Sequence, residues 1–281
     1  MAIRIITDSA SDLLPAAANA MGVSIVPLTV QFGDTTYLDG QTIDSATFYD
    51  LLKNSSENPT TSQPTPDAFL QHFQAAKDAG DEVIAILLSS SLSGTLQSAT
   101  IAKDLCEYEP VYIIDSRSAT SGMQLLLHQA CEMRNAGRNV RDIVDELEDL
   151  KHRIRVFAVI DTLEYLRRGG RLSNLAANIG TVTKLKPTVT VRNGVVEVIG
   201  KAFGSAAALK HLLKLLEEHP IDTRYPVHVV FTDDIAKDEP LVAKMRELGM
   251  IQCEPIYSGV GPAIGTHVGT GAFGAVYIEK L

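Results

Sequence analysis

The chain has no tryptophan and only three cysteines in 281 residues. Cys106, Cys131 and Cys253 are far apart and form no CxxC pair, which argues against a disulfide framework or a zinc knuckle and is typical of reduced thiols. No run approaches the roughly 18 apolar residues that a membrane-spanning helix needs. The chain begins with a strand-like run, Ile3–Thr7, rather than a basic stretch and a long apolar segment. We therefore expect a cytoplasmic protein without a transmembrane segment.

Positive charge is also scarce, because 25 Lys and Arg stand against 34 Asp and Glu, a net charge of −9. A protein that binds nucleic acid through its phosphates needs a concentrated basic face. The single local cluster consists of Arg167, Arg168 and Arg171, which is too small to provide one. Nucleic acid is therefore not an expected partner. These arginines lie at or just after the end of a predicted helix, so they either complement its dipole or bind a partner or an anion.

Short β-rich runs alternate with helical patterns in the first half, which predicts right-handed crossovers and a mostly parallel sheet with flanking helices. The predicted strands are Ile3–Thr7, Ser24–Val30 with Pro27 inside it, Val83–Leu88 and Val111–Ile114. One predicted helix begins near Asp12, and the others span Ser45–Asn54, Pro66–Ala79, Ser93–Leu105, Ala119–Ala136 and Val140–Lys151. A loop is predicted at Ser55–Thr65. The apolar run at Val83–Leu88 indicates a strand buried on both faces.

The second half contains an antiparallel signal, since Asn193-Gly194 between two β-rich runs is typical of a two-residue hairpin. The predicted strands are Val156–Ile160, Thr188–Arg192, Val195–Lys201, Val227–Phe231, Cys253–Tyr257 and Ala275–Ile278. The predicted helices are Thr162–Arg168, Ser205–Glu218 and Pro240–Leu248, and a glycine-rich loop precedes the last strand. We predict a two-lobed α/β protein, with an N-terminal Rossmann-like domain at residues 1–152 and a smaller mixed-sheet domain at residues 153–281.

Hydroxyl side chains and glycines are concentrated in three segments at predicted strand ends. They are Thr60–Pro64, Ser89–Thr95, and the serines at 116, 118 and 121. In open α/β sheets this edge binds ligands, and helix N-termini there attract anions. The same residues could instead only cap helices and shape turns. Three such segments at one predicted edge favour a site for an anionic head group.

A further candidate is His267, which lies among small residues in the segment Gly261–Gly269. A histidine there could donate a hydrogen bond to a carboxylate or phosphate and carry part of a positive charge near neutral pH. The alternative is a core histidine bonded to backbone. The other histidines show no metal-ligand spacing, so no metal is expected.

Several segments resemble catalytic or cofactor-binding motifs but lack the surroundings that these motifs require. Gly269–Gly274 matches GxGxxG by letter but precedes a strand, whereas a dinucleotide fingerprint follows a strand and opens a helix. No Walker A sequence is present. Ser93 lacks the flanking glycines of a nucleophile elbow. No carboxylate pair for acid–base chemistry can be established, so we expect no catalytic residue and no cofactor.

At these same segments the sequence resembles the DegV family of bacterial fatty-acid-binding proteins. The matching motifs run through the whole chain. They include Thr7-Asp8-Ser9, Val26-Pro27-Leu28, Thr61-Ser62-Gln63-Pro64, Ser91-Leu92-Ser93-Gly94-Thr95, Asp115-Ser116, Asp161–Leu166, Gly169-Gly170-Arg171, Lys186-Pro187 and Gly265-Thr266-His267-Val268-Gly269. One departure is Thr270, between two glycines where a proline or another small residue is expected.

The resemblance implies one long-chain fatty acid between two lobes, with its carboxylate held by Thr61, Ser93 and His267. It implies Ser62, Gly94 and Thr266 as neighbours of that head-group site. It also implies a possible partner, because some members serve as the binding subunit of a fatty-acid kinase and present the carboxylate to a separate ATP-using protein. The bound lipid would be cargo, not a cofactor.

Two other functions stay open on the sequence. Ser93 and His267 could belong to a serine-dependent esterase or acyl transferase, which predicts turnover of an activated ester. A binder of another small anion predicts a polar cavity and no co-purifying lipid.

Overall fold

The computed structural model describes residues 1–172 and 185–281 and shows an α/β fold with three sheets. The strands are β1 Ile3–Asp8, β2 Val23–Val26, β3 Thr29–Phe32, β4 Thr35–Leu38, β5 Thr60–Ser62, β6 Glu82–Leu87, β7 Val111–Asp115, β8 Ile154–Val159, β9 Leu185–Arg192, β10 Val195–Phe203, β11 His228–Phe231, β12 Ile256–Gly259 and β13 Phe273–Ile278. The α-helices are α1 Pro15–Met21, α2 Ser45–Asn54, α3 Pro66–Ala79, α4 Thr95–Cys106, α5 Ser121–Asn135, α6 Val140–Leu150, α7 Glu164–Arg168, α8 Ser205–Glu218, α9 Glu239–Glu247 and α10 Pro262–Val268.

The N-terminal half forms a parallel four-stranded sheet in the order β2-β1-β6-β7. In β6, all residues from Val83 to Leu87 are completely buried, as expected for a central strand covered by helices on both faces. Helix α3 has the predicted bounds, since Thr65 caps its first turn, Pro66 opens it and Gly80 ends it in the left-handed conformation. The predicted parallel α/β sheet is confirmed.

The prediction of one strand at Ser24–Val30 is wrong, because the chain forms two strands in different sheets. Pro27 separates β2 from β3 and has no N–H for a sheet ladder. Strand β3 instead pairs antiparallel with β4 and β5 in a small three-stranded sheet. Strand β5 lies inside the segment predicted as a loop, and the pairing of Val30 with Thr61 fixes its register.

The first helix also begins later than predicted. Asp8 accepts a hydrogen bond from the N–H of Ala10 and caps a short 3₁₀ turn at Ser9–Ser11. Asp12 then adopts a left-handed conformation with φ of 54°, which breaks the helical path. Helix α1 therefore begins at Pro15, a residue suited to the first helical position.

The C-terminal half forms a mixed six-stranded sheet in the order β10-β9-β8-β13-β11-β12. Asn193 and Gly194 both have positive φ, 51° and 85°, so the predicted hairpin turn is confirmed. The strand predicted at Cys253–Tyr257 begins later, at Ile256, because Pro255 cannot donate to the ladder. The stretch predicted as a loop at Gly261–Gly269 contains α10, which Pro262 opens.

Polar bonds join the two halves of the chain. The Ser89 hydroxyl donates to the carbonyl of Gly194 at 2.8 Å, and the N–H of Gly261 donates to Asp12 Oδ1 at 3.0 Å. Lys53 Nζ lies 2.9 Å from Asp233 Oδ2. These contacts hold the hairpin tip and the start of α10 against the N-terminal half, on either side of a cavity between the sheets. No helix in the described ranges is long and apolar enough to cross a membrane.

Candidate functional site

A cavity of about 420 Å³ lies between the parallel and the mixed sheet. Its walls are mostly aliphatic, and strand β8 shows how the fold builds them. Val156, Ala158 and Ile160 line the cavity at every second position, while Val159 faces the opposite core. Ala158 remains partly exposed at the centre of a six-stranded sheet because it faces this open space.

Three elements contribute the polar residues of the cavity that the sequence predicted as ligand contacts. Strand β5 contributes Thr61, the turn after β6 contributes Ser93, and α10 contributes His267. Thr61 Oγ1 and His267 Nε2 are hydrogen-bonded at 2.9 Å, although 206 positions separate them in the chain. Ser93 Oγ is bonded to Thr95 Oγ1 at 2.9 Å. We call Thr61, Ser93 and His267 the head-group cluster.

His267 is uncharged near neutral pH. Burial, together with the positive charge of Arg171, lowers the pKa of this imidazole from 6.5 to about 4. The expectation of a partial positive charge is therefore wrong, since the side chain is enclosed by α10 and the α7 turn. Within residues 1–172 and 185–281, its Nδ1 is buried and has no hydrogen-bond partner. This ring edge packs against Gly169, where a side chain would collide with it.

The three predicted neighbours are placed differently from one another. Ser62 and Gly94 line the cavity. The Thr266 hydroxyl donates to the carbonyl of Pro262 at 2.9 Å and does not line this cavity. Thr266 instead lines a smaller adjoining chamber of about 190 Å³.

This smaller chamber shares the head-group end of the main cavity. Thr61, His267 and Arg171 line both spaces, while Thr60 and Arg168 line only the chamber. The Thr61–His267 pair therefore stands between the apolar cavity and a second, more polar space. A ligand whose polar end reached this pair could be approached from the chamber.

Arg171 was left out of the predicted site because it follows a helix end. Its Nε donates to the carbonyl of Leu92 at 3.1 Å, and its Nη1 donates to the carbonyl of Gly169. Backbone oxygens thus hold this guanidinium, so its charge remains available to an anion at the head-group end. Arg167 and Arg168 instead pair with Glu164, and only Arg168 reaches the chamber.

The serines after β7 do not face the cavity. Ser116 Oγ donates to the carbonyl of Ser118 and accepts from its N–H, so the two residues shape a turn. Ala119 and Thr120 line the cavity from this segment. Gln63 lines it as well, and its side chain packs against Gly94 and donates to Ser98 Oγ at 2.8 Å. Of the three hydroxyl segments, only the first two therefore place predicted site residues on the cavity wall.

The fold and the cavity define an α/β protein that encloses an apolar space with one polar end. Comparison with known proteins identifies the family. A family profile described as "Uncharacterised protein, DegV family" matches residues 2–280. A DegV domain-containing protein of Caldanaerobacter subterraneus is 36% identical over 280 residues, covering 99% of each chain. Protein DegV of Bacillus subtilis is 32% identical over 286 residues, covering 100% of each. The chain belongs to the DegV family.

Solved structures agree with this assignment over the full length. A DegV family protein from Thermus thermophilus, described by its fatty acid binding, superposes with a TM-score of 0.90 at 29% identity and 100% coverage of both chains. DegV of Bacillus subtilis, described as a fatty acid binding protein, gives a TM-score of 0.84 at 30% identity, again with 100% coverage of both.

Proposed function

We propose that this protein binds one long-chain fatty acid in the cavity between its sheets, with the carboxylate at the head-group cluster. The observation that carries the proposal is the mostly aliphatic wall of the cavity, to which Thr61, Ser93, Arg171 and His267 add hydroxyl, guanidinium and imidazole groups. The fatty-acid-binding proteins of the same family and fold support it. A small polar anion would leave most of this wall unused.

The neutral imidazole suits a relay of hydrogen bonds. With its proton on Nε2, His267 donates to Thr61 Oγ1, which leaves the Thr61 hydroxyl hydrogen directed to a carboxylate oxygen. The Ser93 hydroxyl supplies a second donor, and Arg171 offsets part of the charge that the carboxylate brings into the protein. Small donors fix the orientation of the head group while leaving its oxygens accessible from the adjoining chamber.

Affinity comes chiefly from the tail. Burial contributes roughly 0.8 kcal/mol per methylene group, or about 11 kcal/mol before other costs for the fourteen or so methylenes of palmitate. Desolvation of the carboxylate opposes this by several kcal/mol, and charge-assisted hydrogen bonds of about 1.5–3 kcal/mol each offset that cost. The head-group cluster therefore determines orientation more than affinity.

The finer proposal is that the protein is a non-catalytic carrier that presents its cargo to a separate ATP-dependent fatty-acid kinase. The chamber beside the Thr61–His267 pair supports it, because a phosphoryl donor would need such an approach to the carboxylate. Arg168 and Arg171 would place positive charge beside the phosphoryl group.

An esterase is supported less well by the same geometry. A serine nucleophile needs its base within hydrogen-bonding distance. Ser93 is instead bonded to Thr95, and the Nε2 of His267 is bonded to Thr61. The carrier function uses these bonds as they stand.

Equilibrium binding of a long-chain fatty acid to delipidated protein tests the head-group cluster. Thr61→Val keeps the shape of the side chain but removes its hydroxyl, and we expect about a tenfold loss of affinity. Thr36→Val is the matched control, because Thr36 is an exposed residue of β4 in the same small sheet. Equal affinities for both variants and the parent would contradict the proposed role of Thr61.

A further inference from the structure

A further cavity, of about 290 Å³, adjoins the acyl cavity at the β8–β9 pair. Thr190 and Val191 of β9 line both this space and the acyl cavity, whereas the head-group cluster lines only the latter. Four parts of the chain contribute cationic or histidine side chains to it. These are Arg117, Lys151, His152, Arg155, Arg192 and His219. We call the space that they line the basic cavity.

The basic cavity differs from the rest of the molecule in charge. The chain as a whole carries a net charge of −9, yet within the described residues no Asp or Glu lines this space. Carboxylates that neutralise its cations stand outside the wall. They pair as Lys151 with Glu148 at 2.6 Å, Arg192 with Glu197 at 3.2 Å, and Arg155 and His219 with Glu279.

Arg117 is the exception. It makes no ion pair in the part of the chain that the structure describes, and its side chain is exposed to the cavity. Its backbone has φ of 48°, a conformation that costs a non-glycine residue free energy. A hydrogen bond from its N–H to Asp115 Oδ1, at 2.9 Å, holds the turn in this shape. The strained turn thus places Arg117, which has no ion pair among the described residues, in the wall of the basic cavity.

Because the carboxylates that pair with these cations do not line the cavity, the positive groups on its wall can also attract an anion placed between them. Lys151 is 9% exposed and lines the cavity, and its ammonium pairs with the half-exposed Glu148. Guanidinium groups bind phosphate through paired N–H donors, and Asn193 and Thr190 add neutral polar groups to the wall. The space is smaller than the acyl cavity and has a more polar wall, which suits an oxyanion.

We propose that the basic cavity is a binding site for a small phosphate-class dianion, separate from the fatty-acid head-group site. Arg117, Arg192 and Lys151 hold the anion, and Arg155 closes the site from β8. Its cationic residues do not line the acyl cavity, although Thr190 and Val191 line both spaces.

Titration with inorganic phosphate, followed by calorimetry and by ³¹P line width at low ionic strength, tests the proposal. We expect saturable binding of one phosphate per chain that weakens as sodium chloride is added. Arg117→Gln should raise the dissociation constant between about tenfold and a hundredfold. Arg117→Gly removes the same charge and also relieves the strained φ, so it should lose binding while keeping or raising Tm.

Two controls locate the anion. Arg138→Gln makes the same change in net charge at an exposed residue of an ion pair outside the basic cavity, and it should leave phosphate binding nearly unchanged. Arg171→Gln removes the guanidinium at the head-group end and should also leave it unchanged. Absence of saturable binding, or binding lost with Arg171→Gln and retained with both Arg117 variants, would overturn the proposal. The second result would place phosphate at the head-group end.

Discussion

The substitution Ala158→Phe should convert the acyl cavity into a shorter one. Ala158 lies on β8 between Val156 and Ile160, the residue after the strand, and neighbouring lining positions on a strand are about 6.6 Å apart. Ile160 packs in one cluster with Leu166 near the head-group end, whereas Val156 belongs to the core of the parallel sheet. A phenyl group at position 158 would therefore block the distal half of the cavity.

The expected loss follows from the methylenes that no longer fit. If roughly six methylene groups of palmitate lie beyond Ala158, their burial contributes up to about 5 kcal/mol, equivalent to a loss of affinity between about 10³-fold and 10⁴-fold. Octanoate, with a much shorter tail, should bind nearly as it does to the parent protein. Ala158→Val, which adds less volume, should give an intermediate loss for palmitate.

Competition binding with palmitate and octanoate against each delipidated variant measures this difference. Because the new side chain points into open space, the free energy of unfolding of the lipid-free protein should not fall by the 1–3 kcal/mol or so that is typical of overpacked cores. Equal losses for the two acids, or unchanged affinity for palmitate, would refute the assignment of this cavity to the acyl chain.

Three further predictions concern single residues. Ser93→Ala should weaken fatty-acid retention by about tenfold and reduce acyl-phosphate formation with a partner kinase more strongly. A retention assay and a phosphorylation assay on the same variant measure the two effects. Complete loss of lipid with normal phosphorylation would contradict this prediction. His267→Gln should reduce the pH dependence of unfolding in lipid-free protein. Since burial lowers the pKa of His267 from 6.5 to about 4, the unfolded chain binds the proton first, and the parent should lose up to about 2 kcal/mol between pH 7 and pH 5 through this residue. Urea titrations at both pH values measure this effect. The same change in unfolding free energy between pH 7 and pH 5 for parent and variant would count against it. Gly194→Val should lower Tm, because φ of 85° costs a β-branched residue about 1–2 kcal/mol and its Cβ would collide with Ser89; an unchanged Tm would exclude strain at this turn.

Local signals predicted those parts of the fold that local chemistry determines. Thr65, Pro66 and Gly80 mark both ends of α3, and Asn193-Gly194 determines the hairpin turn. Strand β6 was evident from its uninterrupted apolar run. Each of these features depends on residues that are neighbours in sequence, which is why their bounds could be predicted closely.

Other elements depend on tertiary contacts and were missed. Glycines made residues 261–269 look like a loop, but α10 packs so closely on α2 that a side chain at Gly265 would collide with Phe48 and Tyr49. Strand β5 is three residues long and exists through its pairing with β3. Neither the packing of α10 on α2 nor the pairing of β5 with β3 can be predicted from the local sequence.

The head-group cluster was predicted through family resemblance, and the structure brings Thr61, Ser93 and His267 to one end of one cavity. Arg171 was missed because a cation after a helix is explained equally well by the helix dipole. The tail-lining residues of β8 could not be distinguished, since an apolar side chain has the same identity whether it faces a cavity or a packed core.

Mass spectrometry of freshly purified protein, under native and then denaturing conditions, tests the central claim most directly. We predict a native mass that exceeds the chain mass by one fatty acid, which denaturation releases, with a chain length that reports the depth of the cavity. Protein that carries no lipid and also fails to take up added palmitate or oleate would contradict the account.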